Sequence, residues 1–214
     1  MSTRIHAVLI ADIVSSSAEP NVRTLLNEKL RLATGRHLPK GLIRLPYAVT
    51  AGDEFQTISS KLEEIPGLIL DLRIWLRPFR LRIGVGIGQV SGQVRPPVNQ
   101  LGGQAFQFAR SAIESLTNPS TRKFEVLTGF QTNSEEFDTI ANLVYGLHDT
   151  LLLNISEKQW ETIDVYLAKS RVGLTAKKLR ISKSTASRNL KRGYFWQLAA
   201  TVENMRNIIR AYFL

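Results

Sequence analysis

The chain has 214 residues, of which 43% are hydrophobic, contains no cysteine and carries a formal net charge of +10. This length suits one sizeable domain, or a larger domain followed by a small one, and the hydrophobic fraction excludes a disordered protein. The lack of cysteine excludes disulfide bonds and thiolate metal sites. The apolar runs are interrupted by charge before they reach the length of a membrane span, and the N-terminus has no signal-peptide pattern. We therefore expect a cytoplasmic protein without membrane partners.

The predicted elements begin with a strand at residues 4–14, because "RIHAVLIADIV" is a continuous, β-branched run that ends near Asp12. After a Ser-rich turn, Pro20 suits the start of a helix, and Gly35 is predicted to stop that helix. The segments "LIRLPYAVT" and "EFQTISS" then flank Ala51, Gly52 and Asp53. This pattern predicts a β-hairpin with a tight turn.

A second helix is predicted in "KLEEIPGLILDLRIWLR", with an interruption at Pro66 and Gly67. The next strand, "FRLRIGVGIGQV", carries glycines at positions 84, 86 and 88, which allow another backbone or a ligand to come close. A third helix, "QAFQFARSAIESL", and a strand, "KFEVLTGF", follow. The order strand, helix, hairpin, helix, strand, helix, strand predicts an α+β fold with a ferredoxin-like N-terminal domain at residues 1–132.

Residues 133–214 read as helices only, which predicts an all-α second domain with its boundary near Thr132 to Ser134. Two of the predicted helices open with a Ser in a pattern like a capping box, "SEEF" loosely and "SEKQ" with Gln159 three residues after the Ser. The last helix has a wide apolar stripe. Such a stripe most often packs into a core, and any surplus would form a homodimer.

The positive charge of this second part is concentrated. No acidic residue lies between Asp164 and Glu203, and this window contains nine cations: Lys169, Arg171, Lys177, Lys178, Arg180, Lys183, Arg188, Lys191 and Arg192. Such a stretch favours polyanionic partners.

Within the window, residues 174–193 predict a helix-turn-helix, with a short helix from Thr175, a turn at residues 180–182 and a second helix from Lys183. Ser182 suits the N-cap, and Ala186 and Leu190 suit the contact between the helices. The outward face would carry the DNA-binding residues Lys183, Ser184, Thr185, Ser187, Arg188, Lys191 and Arg192, together with Asn189. These side chains suit the major groove of double-stranded DNA. The alternative is a basic helical hairpin used for packing or dimerisation.

Two carboxylates form the other candidate site. If the first strand and the hairpin are neighbours, Asp12 and Asp53 meet at the rim of the sheet, where two carboxylates about 4 Å apart repel by about 4 kcal/mol. A Mg²⁺ or Mn²⁺ ion would neutralise them. Residues 14–17, "VSSS", offer hydroxyls and backbone N–H groups for a phosphate, and Arg110 would neutralise its charge. The alternative is that these acids only cap turns or face solvent.

These residues resemble known families. "ADIVSSS", "AGDEFQ" and "RIGVGIG" look like the palm domain of class III nucleotidyl cyclases and GGDEF-type diguanylate cyclases, and the whole chain is similar to the SatD family. The resemblance implies that Asp12 and Asp53 hold metal. It implies a nucleotide site formed by Ile13, Ser15, Ser16, Ser17, Gly52, Glu54 and Arg110. The chain departs from those patterns at Phe106, where class III helices have Asn four residues before the Arg, and at Ala51, where GGDEF has Gly.

Three hypotheses follow. The first is a regulator that binds DNA through the helix-turn-helix and a nucleotide or divalent metal through the palm-like domain. The second is a metal-dependent nucleotidyl cyclase or nucleotidyltransferase that acts on an NTP. The third is an interaction module that binds neither nucleotide nor DNA.

Overall fold

The computed structural model describes residues 5–14, 22–117 and 125–214. It has a mixed α/β architecture in which the described residues form one five-stranded sheet and eight α-helices. The strands are β1 (Ile5–Ile13), β2 (Ala48–Ala51), β3 (Glu54–Ser59), β4 (Leu81–Gln89) and β5 (Thr128–Gln131). The helices are α1 (Val22–His37), α2 (Ile65–Trp75), α3 (Gln104–Thr117), α4 (Glu135–Leu152), α5 (Glu157–Lys169), α6 (Val172–Leu179), α7 (Lys183–Arg192) and α8 (Phe195–Phe213).

The strand order across the sheet is β2-β3-β1-β4-β5. The first strand therefore lies in the centre, antiparallel to β3 on one side and to β4 on the other. Strand β5 runs parallel to β4. The sheet confirms that the first strand and the hairpin are neighbours, which brings the ends of β1 and of the hairpin together.

Each face of the sheet packs on helices. Alternate residues of β1, such as Leu9 and Ile13, lie in a large core with α1, α2, α4 and α8. The intervening residues Val8 and Ile10 pack against α3 on the opposite face. The alternation of side chains along a strand thus divides one continuous apolar run between two cores.

The glycines of β4 face α3. A Cβ at Gly86 would lie 2.2 Å from the carbonyl oxygen of Ala105, and one at Gly84 would lie 2.5 Å from that of Ala109. The lack of a side chain at these glycines therefore allows the backbone of α3 to lie close to β4.

Two of the C-terminal helices, α4 and α8, share the core of the sheet. Phe137 and Tyr145 of α4, and Met205 and Ile209 of α8, are buried in the same cluster as β1 and α1. The expectation that the stripe of the last helix packs into a core is correct for these residues. The domain boundary at residues 132–133 stays a prediction. Residues on both sides of it pack in the same apolar core.

Local details differ from the predicted elements in three places. Helix α1 continues past Gly35 to His37, because buried His37 hydrogen-bonds the Tyr47 hydroxyl at 2.8 Å and Asp71 at 3.1 Å and so retains the last turn. Helix α2 is not interrupted at Pro66; it begins at Ile65, with Pro66 in its first turn, where a missing N–H costs nothing. Strand β5 has only 4 residues.

Among the residues that the structure describes, no helix has both the length and the apolar character needed to cross a membrane.

Candidate functional site

The end of β1 meets the turn of the β2–β3 hairpin. Gly52 and Asp53 form this turn, and Gly52 has a φ of 59°, a backbone conformation that glycine adopts without strain. The backbone N–H of Ile13 donates a hydrogen bond of 3.2 Å to Oδ2 of Asp53. This hydrogen bond places the Asp53 carboxylate at the end of β1, one residue along the chain from Asp12. Ser15, Ser16 and Ser17, the predicted phosphate-binding residues, lie outside the described residues.

Asp12 forms an ion pair that the sequence reasoning missed. In the ladder between β1 and β4, Asp12 is opposite Arg82. Nε of Arg82 donates to Oδ1 of Asp12 at 2.8 Å, and Nη2 donates to Oδ2 at 3.0 Å. Both carboxylate oxygens of Asp12 thus accept from one guanidinium, a strong two-point geometry. An arginine in an otherwise apolar strand was the signal for this pair, since a charge in a sheet needs a partner.

Glu54, the first residue of β3, pairs with Arg110 of α3. Nη2 of Arg110 donates to Oε1 of Glu54 at 2.7 Å, and Nη1 donates to Oε2. The hydroxyl of Thr50 also donates to Oε1, at 2.8 Å. Glu54 and Arg110 were predicted to contact a nucleotide, and in the structure they contact each other.

The acids at this rim influence each other's protonation. Burial raises the pKa of Asp12, Arg82 lowers it, and the negative charges of Asp53 and Glu54 raise it further, so that the net shift is upward. Burial also raises the pKa of Glu54, but the hydrogen bonds from Arg110 and Thr50 outweigh it and leave that pKa lowered. The rim therefore holds three interacting carboxylates and two guanidiniums.

The donors fit a divalent cation only in part. Carboxylate oxygens are the ligands that Mg²⁺ and Mn²⁺ prefer. However, both oxygens of Asp12 accept from Arg82, and both oxygens of Glu54 accept from Arg110. In residues 5–14, 22–117 and 125–214, no group of three or more His, Cys, Asp or Glu side chains is arranged to hold a metal ion. A cation held by Asp12 and Asp53 would compete with Arg82 for the Asp12 carboxylate.

The second candidate site is the two-helix unit α6–α7. Helix α6 begins at Val172, three residues before the predicted start at Thr175, and Arg180, which follows its last residue, has a left-handed φ of 56°. Ser182 caps the next helix by accepting a hydrogen bond from the N–H of Thr185 at 3.0 Å. Ala186 and Leu190 of α7 are buried. The predicted turn, cap and inner face are therefore present.

The outer side of α7 carries most of the predicted DNA-binding residues. Six of them are exposed: Lys183, Ser184, Ser187, Arg188, Lys191 and Arg192. Thr185 is half-buried, and its hydroxyl lies 2.9 Å from that of Ser182, so it belongs to the cap. Asn189 was predicted to lie on the outward face, and this prediction is wrong. Its side chain instead donates to the Thr162 hydroxyl of α5 at 3.0 Å.

The solved structures that are similar to this chain include three of low sequence identity. A bacterial light-regulated adenylyl cyclase is 16% identical, with 58% of this chain and 73% of that chain covered at a TM-score of 0.37. A second structure of a bacterial light-regulated adenylyl cyclase is 15% identical, with 58% and 42% covered at a TM-score of 0.39. A regulator of polyketide synthase expression from Bifidobacterium adolescentis is 15% identical, with 98% and 86% covered at a TM-score of 0.28. At these values the likenesses carry no argument about function.

No curated protein matches the chain in sequence. The model of the SatD family matches residues 6–195, which is most of the chain and includes both candidate sites up to α7.

Proposed function

The chain belongs to the SatD family, and from this premise we propose that it is a DNA-binding regulator whose sheet-bearing part binds a nucleotide, a divalent cation or both. The observation that carries the proposal is the arrangement of α7. Its apolar residues are buried against its neighbours, its cations and small hydroxyls are exposed, and no acidic residue lies between Asp164 and Glu203 in the sequence.

The shape of the α6–α7 unit supports a major-groove reader. A short helix, a three-residue turn and a capped second helix have the form of a helix-turn-helix, in which the second helix contacts base edges and phosphates. Lys183 lies at the start of α7, and Arg188, Lys191 and Arg192 follow on later turns. A homodimer would present two such helices to two half-sites of one duplex.

The DNA-binding proposal predicts the behaviour of a double variant. In Arg188→Gln/Lys191→Gln, we expect affinity for duplex DNA to fall by about tenfold, because two side chains that face phosphates or bases lose their charge. The plot of log affinity against log salt has a negative slope, and its magnitude should fall by about 0.9 for each phosphate that is no longer neutralised. Fluorescence anisotropy of labelled duplexes across a salt series measures both quantities on the full-length chain.

Arg31→Gln is the matched control for this experiment. Arg31 is an exposed residue of α1, outside the basic window, and its replacement also removes one positive charge. If Arg31→Gln lowers the affinity as much as Arg188→Gln or Lys191→Gln made singly, the attraction is general to the charge of the chain. That result contradicts a DNA-reading role for α7.

The rim of the sheet supports the second half of the proposal. The strand order and the antiparallel pairing around β1 support a ferredoxin-like, cyclase-palm-like assignment for residues 1–132. The negative charges of Asp53 and Glu54 act unfavourably on that of Asp12, which supports a cation beside Asp12. Arg82 supplies positive charge to this rim in the structure. We propose that a Mg²⁺ or Mn²⁺ ion bound with a nucleotide competes with Arg82 for Asp12, while Arg110 contacts phosphate.

This competition gives a test with two opposite outcomes. Arg82→Gln is expected to tighten Mn²⁺ binding by freeing Asp12, whereas Asp53→Asn is expected to weaken it. Thermal unfolding with Mn²⁺, and with Mn²⁺ plus ATP or GTP, measures the effect, since a ligand at 100 times its dissociation constant stabilises by about 2.7 kcal/mol. Glu161→Gln, which neutralises an exposed acid of α5, is the control.

Catalysis is the second candidate function, favoured by the two acids that the fold brings together at the end of β1. Pyrophosphate release from the same samples separates binding from turnover. An enzyme would release pyrophosphate from an NTP in the wild type and lose that activity in Asp53→Asn. If Mn²⁺ raises the unfolding temperature of Asp53→Asn as much as that of the wild type, Asp53 does not bind the metal.

A further inference from the structure

A cavity of about 190 Å³ lies between the loop joining α2 to β4 and the helices that follow the sheet. The loop contributes Arg77, Phe79 and Arg80 to its wall. The end of α4 and the start of α5 contribute Leu152, Ile155 and Trp160. The cavity thus has a cationic side and an apolar, partly aromatic side.

The cations of this wall are held by exposed carboxylates. Arg77 pairs with Glu157, and its guanidinium lies 5.2 Å from the centre of the Trp160 ring. The Arg77 side chain is only 17% exposed, whereas that of Glu157 is 83% exposed. Arg80 pairs with Glu125, and both side chains are partly exposed. An exposed pair of this kind contributes little free energy, so an incoming anion can replace the glutamate.

The desolvation of Arg77 favours such an anion. The Arg77 side chain is shielded from most of the solvent, and burial lowers the pKa of its guanidinium while the negative charge of Asp164 raises it by less. Arg73 also lines the cavity, but its charge is already balanced by buried Asp149. The cations available to a ligand among the described lining residues are therefore Arg77 and Arg80.

We propose that this cavity binds a small organic anion, in which one carboxylate or phosphate group contacts Arg77 and Arg80 and a compact apolar or aromatic body packs against Leu152, Ile155 and Trp160. A guanidinium presents parallel N–H donors that match the two oxygens of such a group. The volume suits a body of roughly benzene size, since an apolar cavity of about 150 Å³ binds benzene.

This inference does not depend on the proposed function. Its site shares no residue with the acidic rim or with the outer face of α7. Trp160 lies on α5, which also contacts α7 through the hydrogen bond between Thr162 and Asn189. An occupied cavity would therefore lie one helix away from the proposed DNA-reading surface.

The test uses the full-length protein and follows the indole N–H signals of its 3 tryptophans by NMR, with Trp160 assigned from Trp160→Phe. The probes are benzoate, hexanoate and phenyl phosphate, with benzamide as the neutral analogue of benzoate. At least one anion is expected to shift the Trp160 signal with a dissociation constant below about 1 mM, within reach of a ligand of this size. Benzamide is expected to bind at least about tenfold more weakly, because it lacks the charge. Comparison of the three anions shows which headgroup the site takes.

Variants of the wall make the test specific. Arg77→Gln and Arg80→Gln are each expected to weaken binding by about tenfold, and Glu157→Gln is expected to tighten it by releasing Arg77. Arg44→Gln, at an exposed residue outside the cavity lining, should leave affinity unchanged. The inference is overturned if no anion shifts the Trp160 signal, or if benzamide binds as well as benzoate. Unchanged affinity in Arg80→Gln and Glu157→Gln also overturns it, even where Arg77→Gln fails to fold.

Discussion

Replacement of Asp149 by Asn is expected to lower the free energy of unfolding by about 3–5 kcal/mol, the usual effect of breaking a buried ion pair. Asp149 of α4 lies 3.4 Å from the guanidinium of Arg73, and the two side chains are 0% and 5% exposed. The variant leaves the Arg73 charge buried without a compensating carboxylate. Urea unfolding near pH 7 measures the loss.

The position of this pair explains the size of the effect. Arg73 of α2 donates to the carbonyl oxygens of Leu81 at 2.9 Å and Leu127 at 3.1 Å, and to the Thr128 hydroxyl at 2.6 Å. Asp149 accepts from the backbone N–H of Leu127 at 2.8 Å. One buried network therefore connects α2, β4, β5 and α4, across the predicted boundary between the two parts of the chain.

The same pair has a predictable pH dependence. Burial raises the pKa of Asp149, but Arg73 and His148 outweigh it and hold that pKa below its ordinary value of 3.8. A lowered carboxyl pKa contributes stability that is fully present above the ordinary pKa and is lost as pH falls through the lower, folded pKa. We therefore expect part of the difference between wild type and Asp149→Asn to disappear in strong acid.

Two variants serve as controls. Glu161→Gln, at an exposed site on α5, should change stability by less than about 0.5 kcal/mol. The double variant Arg73→Met/Asp149→Leu should be more stable than Asp149→Asn, because it leaves no unpaired buried charge. A loss below about 1 kcal/mol in Asp149→Asn contradicts the assignment of a buried, charged pair.

Replacement of Gly86 by Ala is expected to cost about 3 kcal/mol or more, at the upper end of overpacking effects. A Cβ on Gly86 would lie 2.2 Å from the Ala105 carbonyl oxygen and 2.3 Å from the Ala109 backbone nitrogen. Both atoms belong to the backbone of α3, so no side chain can rotate away. Relief requires α3 to move from β4, which opens the core on that face.

Gly35→Ala is the matched control for the glycine prediction. Gly35 lies inside α1, and a Cβ there would meet no atom within 4 Å. Ala at this site is expected to stabilise the protein by about 0.5–1 kcal/mol, because it restricts the unfolded chain and favours the helix. Chemical unfolding measures the free energy of unfolding of both variants. If Gly86→Ala is as stable as Gly35→Ala, α3 does not pack closely on β4.

Several features could be predicted from the sequence because they depend on neighbours a few residues apart. The turn at Gly52 and Asp53 follows from the conformational freedom of glycine between two strand-like segments. The caps at Ser156 and Ser182 follow from side chains that bond N–H groups three residues away. The order of strands and helices could likewise be predicted without tertiary information.

The partners of the site residues required the fold. Arg82 reaches Asp12 across 70 residues of sequence because β1 and β4 pair in one particular register, and no local pattern specifies that register. Asn189 turns from the predicted outward face because Thr162 of α5 offers it a hydrogen bond. Helix α1 passes Gly35 because burial of His37 outweighs the helix-breaking tendency of glycine.

The sequence by itself thus determined the order of the elements, the caps at Ser156 and Ser182 and the two places where charge is concentrated, since hydrogen bonds and hydrophobic periodicity act over a few residues. Only the tertiary structure decided which charges neutralise one another. Asp12 meets Arg82, Glu54 meets Arg110 and Asp149 meets Arg73 because packing of the two cores brings distant segments together. The free energy of such pairs depends on burial and register, and both are properties of the assembled fold.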